Sequence, residues 1–281
     1  MALAKSPLTL AARFKDNKAN RISAQLKGET VNFDAKKVLV TGGSRGIGLA
    51  ISTAFAAAGA TVAIVYRAND SAAAAALAQL PGAGHSVHRA DLTDPEAVRL
   101  VVDAAAEALG GLDIAVNNAG IGDYHPIDST SYQEWQEAWQ KTLAANLTAP
   151  ANVCFCAVQH MLAGGCGRIV NITSRGAYRG EPIKPAYGAS KAGLTSLSQS
   201  LAVALAPHKI FVGAVAPGFV NTELTADRLA SAEGAEIKAQ SGFNRVAEPK
   251  EVAHAVLFLA SEGAEFSTGT VIDVNGASYL R

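Results

Sequence analysis

Two side chains that could perform acid–base chemistry lie four residues apart. Tyr187 and Lys191 occupy the first and last places of a Y-x-x-x-K segment. On a helix, residues i and i+4 share one face, so both side chains can point into the same cleft. An ammonium group beside a phenol stabilises the phenolate and lowers a pKa that is ordinarily about 10. The pair therefore suits proton transfer, whereas the alternative is a half-buried surface pair without chemistry.

A glycine-rich segment, TGGSRGIG, separates an apolar run from a helical one. Gly42 allows a tight turn, Gly46 lets the backbone approach a pyrophosphate, and Gly48 allows close packing of the helix. The free N–H groups and the positive dipole end of that helix suit a phosphate. A plain strand-to-helix connector is the alternative, but three glycines at this spacing favour a dinucleotide site.

The elements that must position these groups follow an alternating pattern of apolar strand-like runs and longer helical runs. Strands are predicted at 37–41, 61–66, 85–90, 113–117, 167–173, 210–216 and 270–274. The predicted fold class is therefore α/β: a Rossmann-type, doubly wound, mostly parallel seven-stranded sheet with helices on both faces. Residues 34–281 are predicted to form this single catalytic domain, with 1–33 as an N-terminal arm and 218–245 as irregular. Ligands bind beyond the carboxyl ends of such strands, so the motifs should cluster.

Together these segments resemble the short-chain dehydrogenase/reductase family, whose first motif reads T-G-x-x-x-G-x-G. The resemblance runs from about Lys36 to Tyr279 and includes Asn-Asn-Ala-Gly at 117–120 and Pro-Gly-x-x-x-Thr at 217–222. It implies a catalytic set of Asn146, Ser174, Tyr187 and Lys191. By resemblance, Ser174 holds the substrate oxygen, Tyr187 protonates it, and Asn146 holds a water linked to Lys191. A purely structural role for Asn146 is the alternative.

The resemblance also implies which residues bind a nicotinamide cofactor. They lie in the glycine turn, after strands two, three, four and six, and in the Tyr–Lys pair: Gly42, Ser44, Arg45, Gly46, Ile47, Gly48, Arg67, Asp91, Leu92, Asn118, Ala119, Gly120, Tyr187, Lys191, Pro217, Gly218, Val220 and Thr222. The implied reaction is direct hydride transfer between the nicotinamide and a substrate carbon. No metal is implied.

The residues at the end of strand two indicate which of the two nicotinamide cofactors, NAD or NADP, is bound. An acid there normally binds the adenosine ribose hydroxyls and repels a 2′-phosphate. Here Tyr66 is followed by Arg67, and Arg45 projects from the glycine turn. Because a guanidinium can bind phosphate through two parallel hydrogen bonds, NADP(H) is predicted over NAD. Two solvated surface arginines are the alternative.

The substrate is less well defined by the sequence. Arg175 and Arg179 could bind a carboxylate, a phosphate or a phosphopantetheine thioester, or could lie at a subunit interface. The core resembles 3-oxoacyl-carrier-protein reductases and sugar or polyol dehydrogenases, so ketones, 3-oxoacyl thioesters and keto sugars all stay open. The predicted function is an NADPH-dependent carbonyl reductase or alcohol dehydrogenase. The alternative is a catalytically silent NADP-binding regulatory protein on the same fold.

The composition and net charge of the chain indicate which classes of binding partner and which compartment to expect. The chain of 281 residues carries 24 Lys and Arg against 24 Asp and Glu, which disfavours nucleic acid and membrane partners. Cys154 and Cys156 lie in an apolar helical run and are interpreted as buried apolar residues, so a reducing compartment is expected. A cytoplasmic location is predicted, with organellar import through the basic N-terminal arm as the alternative. A homo-oligomer, by resemblance a tetramer, is expected.

Overall fold

The computed structural model describes residues 31–281, of which Phe33–Arg281 form one compact unit. The predicted import function of the N-terminal arm falls on residues outside this range. Packing of the compact unit begins at Phe33, which is buried with its ring centroid 4.8 Å from that of Phe55. No helix in the described range is long and apolar enough to cross a membrane.

Seven parallel strands form one sheet, which confirms the predicted fold class. The strands are β1 Lys37–Thr41, β2 Thr61–Tyr66, β3 Ser86–Arg89, β4 Ile114–Asn117, β5 Gly167–Ile172, β6 Ile210–Pro217 and β7 Val271–Val274. Their order across the sheet is β3-β2-β1-β4-β5-β6-β7. The chain changes direction across the sheet between β1 and β4, and a crevice for ligands is expected at such a point.

Helices connect the strands and cover the sheet. In chain order they are α1 Gly46–Ala57, α2 Asp70–Gln79, α3 Pro95–Leu109, α4 Tyr132–Leu143, α5 Ala149–Gly164, α6 Gly176–Arg179, α7 Pro185–Leu205, α8 Glu223–Ala230, α9 Gly234–Ala239 and α10 Pro249–Ala260. A π-helical turn, Ala144–Thr148, joins α4 to α5.

Alternation along the strands divides the buried apolar residues into two cores. On β1, Val38 and Val40 pack in the core that includes α1 and α10, whereas Leu39 packs with α3 and α5. Successive side chains of a strand point to opposite faces, so a strand buried on both faces must be apolar throughout. This double burial fixes the register of the central strands and therefore the relative positions of the loops at their carboxyl ends.

The prediction that residues 218–245 are irregular is wrong, because they contain α8 and α9. Thr222 caps α8 in a reciprocal arrangement with Thr225. No residue of α8 is buried, so packing against the core does not define this helix. Capping rather than burial defines where this helix begins.

Candidate active site

The first turns of α7 bring Tyr187 and Lys191 onto one helix face. Pro185 stands at the start of the helix, where the missing N–H costs nothing. The Lys191 ammonium lies 5.8 Å from the centroid of the Tyr187 ring and donates a hydrogen bond of 2.8 Å to the Ile172 carbonyl. Lys191 is buried, so this carbonyl compensates part of the lost hydration of the charge. The predicted juxtaposition is therefore present.

Ser174 follows β5 and is buried beside this pair. Its hydroxyl oxygen accepts a 3.0 Å hydrogen bond from the backbone N–H of Gly176. Burial raises the pKa of Tyr187, and a hydrogen bond with the Ser174 side chain acts in the opposite direction. Burial also lowers the pKa of Lys191 to about 8, with a smaller contribution from the nearby Lys184 ammonium.

The pKa of Tyr187 thus differs from the lowered value expected from the sequence. The expectation counted two charges, that of Lys191 and that of a bound positive nicotinamide ring, and left out burial of the phenol. Desolvation penalises the phenolate and here exceeds the favourable contributions. In the protein alone, Tyr187 is therefore a protonated phenol, which is the form that a proton donor requires.

Asn146 lies within the π-helical turn rather than in a regular helix, and it is completely buried. Its Oδ1 accepts from the Ile121 N–H at 2.8 Å, while Nδ2 donates to the Ile121 carbonyl at 2.9 Å and to the Ser190 hydroxyl at 3.1 Å. The side chain therefore fixes the segment after β4 against α7. Single π-helical turns within α-helices occur often at functional sites. The water expected by resemblance at Asn146 stays a prediction.

Two residues beside the site were not found from the sequence. His125 is buried, and its Nε2 accepts the Ala186 N–H at 3.1 Å while Nδ1 lies 2.9 Å from the Asp123 carbonyl oxygen. It therefore anchors the residue immediately before Tyr187. Lys184 places its ammonium 4.3 Å from the Tyr187 ring centroid. No motif marks either residue; only the i–3 spacing from Lys184 to Tyr187 could have indicated the second.

A buried polar chain joins the strands beneath the site to α7. The Asn117 amide donates to the Asn171 Oδ1 at 2.9 Å and to the Cys154 sulfur at 3.2 Å. The Asn171 amide in turn donates to the Ser198 hydroxyl at 2.8 Å. Burial raises the pKa of Cys154 to about 12, so this thiol is a neutral packing residue. The network fixes β4, β5 and α7 together, because leaving any of these polar groups unpaired is costly.

The glycine turn adopts a conformation suited to a phosphate-binding loop. Gly42 and Gly46 have φ of +64° and +51°, in the left-handed region that glycine tolerates. A Cβ on Gly48 would lie 2.1 Å from the Gly42 carbonyl oxygen, so only glycine fits there. No side chain caps the start of α1, which leaves its first N–H groups available to a ligand.

The remaining predicted cofactor residues border this turn or follow neighbouring strands. The Asn118 amide donates to the carbonyls of Thr41 and Gly42 at 3.1 and 3.2 Å, and a Cβ on Gly46 would lie 3.2 Å from the Thr222 methyl. The turn therefore meets the segments after β4 and β6. Ser44, Ile47, Ala119 and Gly120 belong to the same loops, Asp91 and Leu92 follow β3, and Pro217, Gly218 and Val220 end β6 or follow it.

At the adenosine end, Arg45 and Arg67 are both exposed, and neither forms an ion pair with any residue in the range 31–281. Asp70, by contrast, accepts a 3.0 Å hydrogen bond from the Tyr66 hydroxyl and lies 3.5 Å from the Arg89 guanidinium. The nearest acid on this strand end is thus already occupied, whereas both predicted phosphate-binding arginines are available.

Arg175 and Arg179, the two predicted substrate-binding arginines, both approach the side chain of Gln240, the residue that follows α9. Arg175 donates to the Gln240 Oε1 at 2.6 Å and Arg179 at 3.4 Å. Arg175 is buried, and burial lowers its pKa to about 10. It lines a cavity of about 210 Å³ with Phe219 and Gln240. Within residues 31–281, no cluster of His, Cys, Asp and Glu could hold a metal ion.

Comparisons with known proteins agree with this geometry. The family model described as enoyl-(acyl carrier protein) reductase matches residues 42–277. The chain is 37% identical to the 3-oxoacyl-[acyl-carrier-protein] reductase of Aquifex aeolicus, covering 89% of this chain and 99% of that protein. It is also 37% identical to the cis-4-hydroxycyclohexanecarboxylate dehydrogenase of Sinomonas cyclohexanicum, covering 87% and 96%.

A solved structure of a short-chain dehydrogenase from Burkholderia cenocepacia in complex with NADP is 35% identical, with a TM-score of 0.80, covering 87% of this chain and 98% of that one. The similarity extends over nearly all of the described residues and includes every motif segment of the cleft. The chain therefore belongs to the short-chain dehydrogenase/reductase family and is an oxidoreductase acting on CH–OH and C=O groups.

Proposed function

We propose that this protein is an NADPH-dependent carbonyl reductase in which Tyr187 acts as the general acid. The observation that carries the proposal is the convergence of Ser174, Tyr187 and Lys191, with the Ser174 side chain hydrogen-bonded to Tyr187 and the Lys191 ammonium 5.8 Å from the centroid of the phenol ring. A protein that only bound a nucleotide would need no protonated phenol held between a hydroxyl and an ammonium group.

Each of the three side chains has a distinct role in this proposal. The Ser174 hydroxyl donates to the carbonyl oxygen of the substrate and orients it. Tyr187 transfers its proton to the same oxygen as negative charge develops there. Lys191 lies close enough to stabilise the resulting phenolate. Its ammonium stays fixed through the 2.8 Å bond to the Ile172 carbonyl.

The residues around the glycine turn fit a nicotinamide dinucleotide phosphate. Gly42, Gly46 and the uncapped start of α1 form a cradle for the pyrophosphate. Arg45 and Arg67 would bind the adenosine 2′-phosphate, which the solved relative with bound NADP also supports. When bound, NADPH supplies the hydride, and the segment containing Val220 and Thr222 would hold its nicotinamide end.

The names of the relatives support a carbonyl or secondary alcohol as the reacting group. One acts on a 3-oxoacyl thioester and another on a hydroxycyclohexanecarboxylate. We propose the same reacting group for this chain, with reduction as the favoured direction because NADP is the favoured cofactor. A homo-oligomer is proposed by the same resemblance. Exposed apolar side chains on three helices, Leu100, Phe155 and Val203, are available for such contacts.

The decisive experiment measures NADPH oxidation by purified protein with acetoacetyl thioesters, keto sugars, diketones and aryl ketones, comparing the wild type with Tyr187→Phe. General acid catalysis contributes ~100- to 10,000-fold, so turnover of the best substrate should fall by that amount. NADPH binding, followed by fluorescence, should persist in the variant. Tight NADPH binding without turnover of any carbonyl would instead support the regulatory protein.

A further inference from the structure

Lys184 is a half-buried cation that the proposed chemistry does not use. Its side chain is 18% exposed, and its ammonium lies 4.3 Å from the centroid of the Tyr187 ring. Among residues 31–281, this ammonium makes no side-chain hydrogen bond; the nearest carboxylate oxygen, on Glu181, is 3.9 Å away. An ammonium carries three donors; the contacts of this one among residues 31–281 are the 3.9 Å ion pair with Glu181 and the approach to the Tyr187 ring, so it retains hydrogen-bonding capacity for a ligand.

The position of Lys184 is on the substrate side of the cleft. A Cβ added to Gly122, in the loop after β4, would lie 3.4 Å from the Tyr187 ring and 3.8 Å from the Lys184 ammonium. The phenol ring and the ammonium therefore both border the same point of that loop. The predicted phosphate-binding arginines, by contrast, lie in the glycine turn and at the end of β2. The Lys184 charge also contributes to the low pKa of Lys191, which places both cations near one another.

Further cations surround this point. Burial lowers the pKa of Lys184 most, and Arg228, Arg175 and Arg179 lower it further, whereas Glu181 raises it. Arg228 reaches over from α8, where it pairs with Glu233 and donates to the Tyr124 hydroxyl at 3.2 Å.

The Phe219 ring contacts two of these arginines. The Arg175 and Arg228 guanidinium carbons lie 5.2 and 5.4 Å from the centroid of the Phe219 ring. Four cations therefore face two carboxylates, those of Glu181 and Glu233. The local potential is positive although the chain as a whole has no net charge.

We propose that the natural substrate is a small carbonyl compound carrying a carboxylate close to the reacting group, and that Lys184 binds this carboxylate. A carboxylate oxygen of the substrate, bound ~2.8 Å from this ammonium, would lie beside the phenol whose hydroxyl protonates the carbonyl oxygen. The contact between Lys184 and the carboxylate of the substrate thus orients the substrate for reduction. This inference rests on the proposed function, because it names the substrate class of the same cleft.

The test compares each acid with its own methyl ester. The pairs are 3-oxobutanoate, 4-oxopentanoate and 4-oxocyclohexanecarboxylate and their esters, and the quantity is the ratio of kcat/KM for acid over ester with NADPH. Lys184→Gln removes the charge and keeps a polar side chain of similar length. Lys184→Arg retains the charge. Lys250→Gln, at an exposed position on α10, removes the same charge elsewhere.

A hydrogen bond to a charged group contributes ~10- to 100-fold to binding. The wild type should therefore favour at least one acid over its ester by about 10-fold or more. The ratio should fall by a similar factor in Lys184→Gln, be largely retained in Lys184→Arg, and be unchanged in Lys250→Gln. A ratio that is the same in Lys184→Gln as in the wild type would overturn the proposal, as would a wild type that favours every ester.

The two proposals fail in distinguishable ways. Reduction of esters that depends on Tyr187 but shows no preference for acids would leave the reductase intact and reject the carboxylate site. If no carbonyl is reduced, calorimetric titration of the same acids into NADP⁺-loaded protein decides the question without turnover. Binding of an acid that weakens about 10-fold in Lys184→Gln would support the site, and equal binding to both proteins would reject it.

Discussion

Reversing the charge of Arg67 should convert the cofactor preference from NADPH to NADH. Arg67 follows β2 at an exposed position, and within residues 31–281 it has no ion pair at contact distance; its charge is a minor cause, after the hydrogen bonds from Thr93, of the lowered pKa of Asp91. An aspartate at this place would accept hydrogen bonds from the ribose hydroxyls of NADH and would repel a 2′-phosphate. Arg67→Asp therefore removes an attraction and introduces a repulsion at the same atoms.

The magnitude follows from the two contributions. Loss of one charge-assisted hydrogen bond costs ~1.5 kcal/mol, the lower end of the usual range because the site is exposed. A repelling unit charge at ~4 Å in water adds ~1 kcal/mol. The sum of ~2.5 kcal/mol corresponds to a fall of about 70-fold in kcat/KM for NADPH relative to NADH. Salt should weaken the effect, because screening acts on exposed charges.

The assay is the ratio of kcat/KM for NADPH over NADH, measured with one carbonyl substrate at low ionic strength. Arg99→Asp is the matched control, since it makes the same change of charge on α3, where Arg99 pairs with Glu96 and Asp103. The control should leave the ratio unchanged. A shift of less than about 5-fold in Arg67→Asp, or an equal shift in the control, would refute the assignment of Arg67 to the 2′-phosphate.

Three further predictions concern stability and the cofactor turn. Burial lowers the pKa of Lys191 from 10.5 to about 8, so between these pH values the unfolded chain binds more protons than the folded one. The free energy of unfolding of the wild type, measured with urea, should therefore rise by ~3 kcal/mol from pH 8 to 10.5 relative to that of Lys191→Met. The same pH dependence of this free energy in both proteins would contradict the assignment. His125→Ala leaves the Ala186 N–H without its acceptor and should cost ~1–3 kcal/mol in the same assay, with an unchanged midpoint as the contrary result. Gly48→Ala should abolish NADPH binding, followed by fluorescence, because its Cβ would meet the Gly42 carbonyl oxygen at 2.1 Å; retained affinity would show that the turn can move.

The fold and the approach of Tyr187 and Lys191 to one another are predictable because both depend on short local patterns. Strands buried on both faces read as apolar runs, and each motif directly follows such a strand. Thr41, for example, ends β1 immediately before the glycine turn, and its hydroxyl oxygen accepts from the Asn118 and Ala119 N–H groups at 3.0 and 3.2 Å. The sheet order alone therefore brings two distant motifs into contact.

Features that depend on contacts between distant segments were not predictable. The helix α8 is only eight residues long and has no buried residue, so the sequence carries a weak signal for it. The bond from the Ala186 N–H to His125 joins positions 61 residues apart, and no spacing rule links them. In the protein alone burial raises the pKa of Tyr187, which the sequence did not indicate, because it shows which charge lies one helical turn away but does not show how deeply the phenol is buried.

Lys184 and Lys191 show how surroundings rather than residue type assign a role. Both lie within about one helical turn of Tyr187, at i–3 and i+4, and both approach its ring, at 4.3 and 5.8 Å. The Lys191 ammonium is bound to the Ile172 carbonyl and is thus held in place whether or not a substrate is present. The Lys184 ammonium has no such acceptor among the described residues, so its hydrogen-bonding capacity is available to a ligand. A fixed cation suits stabilisation of a phenolate formed in every turnover, whereas a cation held only by the 3.9 Å ion pair with Glu181 suits recognition of a group that arrives with the substrate. In the proposed function, one backbone carbonyl would therefore separate the catalytic lysine, within α7, from the substrate-binding lysine at the residue before that helix.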